Sequence, residues 1–107
     1  MEFQKTFEDF GLIKACAGNY LEVVKLLVGD ERLTPEILSL TNGLGDTALM
    51  TAVVYGKKKI VEEIVRHYGV QEQYKNEAGQ NAWDLAKQHR PAIAKMMKAI
   101  CSDTNLS

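Results

Sequence analysis

Apolar residues in the middle of the chain recur at helical spacing, in two short runs parted by a glycine. Leu49, Ala52 and Val53 fall at i, i+3 and i+4 and make one stripe. Ile60, Val61, Ile64 and Val65 make a second. Thr47 stands before the first run as an N-cap, and Gly56 and Gly69 close the two runs with backbone freedom that a helix end uses. The pattern predicts an antiparallel pair of helices of about eight and ten residues, lengths that are marginal alone in water. Such a pair needs neighbours to cover its apolar faces.

The neighbours are written into the same chain. Gly45, Thr47, Ala48, Leu49 and Ala52 reappear as Gly79, Asn81, Ala82, Trp83 and Ala86 at a constant offset of 34. Upstream, Leu12, Ala15, Asn19, Val23, Val24, Leu27 and Val28 match Leu49, Ala52, Gly56, Ile60, Val61, Ile64 and Val65 at an offset of 37. Asn19 stands where Gly56 stands, and asparagine is the non-glycine residue that best tolerates positive φ. The match therefore follows a backbone requirement as well as composition.

Between the first two copies, Thr34-Pro35-Glu36 reads as a helix start and predicts one helical turn over 35–39. Asn42-Gly43-Leu44-Gly45 and Asn76-Glu77-Ala78-Gly79 read as tight turns. In the last copy Pro91 opens a second helix carrying Ile93, Met96, Met97 and Ile100. Phe3, Phe7 and Phe10 share one face if the N-terminal segment is helical, and would then cap the first copy. Residues 102–107 read as a frayed polar tail.

A period near 33 residues with a T-P-L-H-x-A helix opening is the signature of ankyrin repeats. This chain resembles that family through Thr47-Ala48-Leu49-Met50-Thr51-Ala52 and Asn81-Ala82-Trp83-Asp84-Leu85-Ala86. The second helix of copy one, EVVKLLV, is similar too. The histidine and proline of the opening are missing throughout. The resemblance spans about residues 8–101. It implies an all-α solenoid of stacked antiparallel helix pairs joined by finger turns. The expected layout is a domain over 1–101, with repeats at 8–40, 41–74 and 75–101, followed by the tail.

The resemblance also implies function: a protein-interaction module, acting as adaptor, scaffold or inhibitor, that meets its partner through finger tips and the concave face of its first helices. Carried over position by position, the candidate contacts are Lys14, Gly43, Leu44, Asp46, Thr51, Tyr55, Glu77, Ala78, Gln80, Leu85 and His89. Leu44 and Tyr55 stand out, as an apolar tip residue and a favoured interface anchor. Trp83 replaces the leucine of the opening and is expected in the core. The alternative is a regulatory ankyrin fragment of a longer chain, such as a kinase or channel.

Composition narrows the rest. With 107 residues, 46% hydrophobic and 25% charged, the chain suits one globular domain. A formal net charge of −1 gives no bulk pull toward nucleic acid. No apolar run is long enough to cross a bilayer, and the polar N-terminus lacks a signal peptide's apolar core. Cys16 and Cys101 lie far apart, which suits thiols in a reducing compartment, cytoplasmic or nuclear. His67 and His89 lack the spacing of a zinc site or a catalytic constellation, and Gly43-Leu44-Gly45 lacks the Lys-Ser/Thr of a phosphate loop. No enzyme activity, cofactor or metal is expected. The partner is another protein, and the chain itself is a monomer or a homodimer. Lys57-Lys58-Lys59 reads as a solvated run, with Lys58 and Lys59 paired to Glu62 and Glu63 at i+4. Contact with an acidic partner is the functional reading of the same run.

Overall fold

In a computed structural model, residues 11–30 and 33–104 are described, and they contain seven helices and no strand. These are α1 Gly11–Ala17, α2 Leu21–Val28, α3 Pro35–Leu38, α4 Ala48–Val54, α5 Lys58–Tyr68, α6 Ala82–His89 and α7 Pro91–Thr104. The three phenylalanines expected to cap the first copy lie outside the described residues. So do residues 105–107; α7 runs on through Thr104, where a frayed tail was expected from 102.

Local chemistry sets the helix ends. The Thr47 hydroxyl accepts a hydrogen bond from the Met50 amide at 3.3 Å and so caps α4. Asn81 and Asp84 form a reciprocal capping box on α6, at 2.8 and 3.2 Å. Thr34 and Pro35 start the predicted extra turn, α3. Between α1 and α2 Asn19 has φ 63°, and between α4 and α5 Gly56 has φ 71°. The matched pair of Asn and Gly does one job: each reverses the chain between two helices of a pair.

Each helix pair folds back on itself, α1 on α2, α4 on α5 and α6 on α7. The first helices then pack in one row, α1–α4–α6, and the second helices in another, α2–α5–α7. The apolar stripes meet between the rows. Leu12, Cys16, Val24, Leu49, Val53, Ile60, Ile64, Ala86 and Met97 are at most 2% exposed. Burying one such Leu or Ile side chain stabilises by about 1.5–3 kcal/mol, enough for neighbours to hold helices that would not persist alone.

Candidate functional site

The two finger turns are the same structure built twice. In the first, the Asn42 side-chain oxygen accepts from the amides of Leu44 and Asp46 at 2.9 and 3.0 Å. In the second, Asn76 accepts from Ala78 and Gln80, both at 3.0 Å. The backbone closes each turn in the same way, Asn42 to Asp46 and Asn76 to Gln80, each at 2.9 Å. Gly45 and Gly79 take φ 82° and 79°. With the turn so pinned, Leu44 stands out at the tip, 70% exposed.

The predicted contact residues divide. Lys14, Gly43, Leu44, Tyr55, Glu77, Ala78 and His89 are exposed, and Gln80 is half-buried. Asp46, Thr51 and Leu85 are not surface residues: they are 7%, 3% and 4% exposed. Asp46 turns inward and accepts a hydrogen bond from the Asn76 amide of the next finger at 3.0 Å. Thr51 donates its hydroxyl to the Thr47 carbonyl at 2.9 Å inside a helix flanked on both sides. Leu85 holds the register of Thr51 in α6. A leucine in that register was the signal that the position points inward. In copy one, the same register holds the exposed Lys14.

Trp83 is half-buried, not the core residue expected, and the Lys87 ammonium lies 5.5 Å from its ring centroid. A surface pocket beside it is lined by Val70, Glu72, Lys98, Cys101 and Ser102. The expected lysine pairs are replaced by partners one turn later. Glu62 binds Arg66 at 3.0 Å, and Glu63 lies 3.8 Å from His67. His67 also sets Nδ1 2.9 Å from the Glu63 carbonyl.

Several side chains were not singled out from sequence. Arg90 reaches from the end of α6 to the Val54 carbonyl at 3.0 Å through Nη2, and its guanidinium lies over Gly56. Tyr68 donates its hydroxyl to the Val28 carbonyl at 2.7 Å and ties α5 to α2. Tyr20, Val23 and Leu26 are exposed at 60%, 44% and 75%. Val23 matches Ile60, a core residue, so burial was the natural expectation. Among the described residues α5 has α2 packed on that side, and α2 has no helix there.

Burial pushes the Cys16 thiol up to about 12 and leaves it a small inert hydrophobe. Burial, with the Asp30 carboxylate adding to it, raises Tyr68 above its usual range. Among the described residues, no three His, Cys, Asp or Glu side chains gather where a metal could be held, and no helix is long and apolar enough to cross a membrane.

What the geometry defines is a short helical solenoid whose described surface offers exposed turns and helix faces. A family model of ankyrin repeats matches residues 12–106 with three copies, and the chain belongs to the ankyrin repeat family. Ankyrin repeats are generally protein–protein interaction modules. Comparison with curated proteins and with solved structures finds no match.

Proposed function

We propose that this chain is a protein-interaction module, an adaptor, scaffold or inhibitor, that holds its partner on the finger tips and the exposed part of its first-helix row. The observation that carries the reading is Leu44. An apolar side chain at 70% exposure, on a turn fixed by two amide hydrogen bonds to Asn42, loses little freedom on binding. Tyr55, at 55% exposure at the end of α4, supplies an aromatic anchor of the kind that dominates interface energetics. Lys14, Gly43, Glu77, Gln80 and His89 make up the polar surround. The unbridged Cys16 and Cys101 thiols fit a reducing compartment, cytoplasm or nucleus, and a monomer is the simplest state of the chain.

The test is capture from a cell lysate by the wild-type chain and by a Leu44→Asp, Tyr55→Ala double variant with an unchanged circular dichroism spectrum. A protein retained by the wild type and lost by the variant supports the reading and identifies the partner. Equal retention by both moves the site away from this face, and Lys57–Lys59 is then the next surface to alter.

A further inference from the structure

The two finger turns are closed by the same hydrogen bonds, and they differ at the residue after the asparagine. Asn42 is followed by Gly43, and Asn76 by Glu77. Gly43 is exposed, and a Cβ built on it meets nothing within 4 Å. Its backbone amide donates no hydrogen bond among the described residues. The side-chain amides differ as well. Asn76 donates through Nδ2 to the Asp46 carboxylate at 3.0 Å, whereas Nδ2 of Asn42 has no acceptor among the described residues. The Asn42 side-chain oxygen accepts from the amides of Leu44 and Asp46 at 2.9 and 3.0 Å. Those two donors also stabilise the negative charge that grows on the oxygen when a nitrogen adds to the carbon that bears it. Asn42 thus has a polarised side-chain carbon, an unshielded nitrogen next to it and an unheld leaving group.

We propose that Asn42-Gly43 is a self-modification site, where the folded chain deamidates without an enzyme. The Gly43 backbone nitrogen gives its proton to hydroxide from the solvent and bonds to Cγ of Asn42. The bond from Cγ to Nδ2 breaks, and that nitrogen leaves as ammonia with a proton from water. The succinimide ring that remains adds one water at either carbonyl. Opening at Cγ gives aspartate. Opening at the main-chain carbonyl gives isoaspartate, in which the chain runs through the former side chain. No electron is transferred: one water is consumed and one ammonia released. Aspartate keeps an acceptor for the Leu44 and Asp46 amides and adds one negative charge to the tip. Isoaspartate adds a methylene to the main chain, so both amides lose their acceptor and Leu44 loses its fixed place. With Leu44 as the partner contact proposed above, conversion also weakens binding, and that consequence alone rests on the proposed function.

The test incubates the folded full chain at mildly alkaline pH and maps its peptides by mass spectrometry. An isoaspartyl methyltransferase with a labelled methyl donor identifies isoaspartate. The expected result is aspartate and isoaspartate at position 42, formed at least about tenfold faster than any product at Asn76. Gly43→Ala, whose Cβ has room, slows conversion at 42 by at least about tenfold. Glu77→Gly gives the second finger the same dipeptide while Nδ2 stays bonded to Asp46, so Asn76 then still converts more slowly than Asn42. In the isoaspartate fraction, hydrogen exchange speeds up over 43–46 and is unchanged in α7. A folded chain that stays unconverted at 42 while the same chain in urea converts there overturns the proposal. Equal rates at Asn42 and Asn76 in the Glu77→Gly variant overturn it too.

Discussion

The Asn76 side-chain amide donates to the Asp46 carboxylate at 3.0 Å, so one finger turn holds the aspartate at the base of the one before it. Both ends of this bond are committed locally. Asn76 organises its own turn through its side-chain oxygen, and Asp46 is 7% exposed beside the Thr47 cap of α4. Asn42 organises the preceding turn in the same way. The stack is therefore bridged by polar groups at the fingers as well as by apolar packing beneath.

Removing Asn76 tests that coupling. Asn76→Ala deletes two turn-closing bonds and leaves a buried carboxylate short of a donor, at a cost of about 2–3 kcal/mol. Asn76→Asp keeps the acceptor oxygen for the turn but faces Asp46 with a second carboxylate, so it is also destabilised and recovers at low pH. Asp46→Asn keeps an acceptor and costs less than either. Urea midpoints of the three variants at neutral and acidic pH check the order.

The reversal between α4 and α5 predicts a second ranking. At Gly56, φ is 71°, and a Cβ would meet the Arg90 guanidinium at 3.2 Å. Gly56→Ala meets both strain and crowding and loses about 1–3 kcal/mol. Asn19, at φ 63°, does the same work without glycine. Asn19→Gly therefore changes stability by less than about 1 kcal/mol, while Asn19→Ala destabilises. Arg90→Ala alone loses its bonds to the Val54 carbonyl, and measured against that variant a Gly56→Ala, Arg90→Ala double variant shows only the strain part, the crowding being gone. Thermal melts of the five variants separate the contributions.

Those reversals are also where the sequence was most legible. Repeat register, the Thr47 cap, the Pro35 start and the positive φ at Asn19 and Gly56 follow from local chemistry, which neighbours do not change. Exposure on the first helices was harder to read, because it depends on what packs beside them. One register holds Lys14, Thr51 and Leu85, exposed in the first copy and buried in the others. Val23 and Ile60 match in sequence but differ in burial, since only Ile60 has α2 beside it. Long-range bonds such as those from Arg90 to Val54 and from Tyr68 to Val28 leave no local pattern.

Burial of Cys16 makes stability depend on pH in the alkaline range. Its thiol titrates at 9.0 ordinarily and at about 12 in the folded chain. Above pH 9 the unfolded chain releases this proton and the folded chain retains it, so stability is full below pH 9 and falls between pH 9 and about 12. The raised Tyr68 acts in the same direction at the upper end of that range. A Cys16→Ala variant shows a shallower decline, measured by urea midpoints from pH 8 to 10.5. At pH 8 an alkylating reagent modifies the half-buried Cys101 well before Cys16.

Tyr68 supplies the sharpest test of how the copies support one another. Its hydroxyl meets the carbonyl of Val28, the last residue of α2, at 2.7 Å. That carbonyl is one of the four that a helix leaves unpaired at its C-terminus. Tyr68→Phe keeps the ring and its packing but strands the carbonyl, at a cost of about 1 kcal/mol. In a stack held by nearest neighbours, the loss falls on the contact between copies one and two. Hydrogen exchange should therefore speed up in α1 and α2, by about fivefold for 1 kcal/mol, and stay unchanged in α6 and α7. Faster exchange spread evenly over all the helices would mean instead that the chain opens only as a whole.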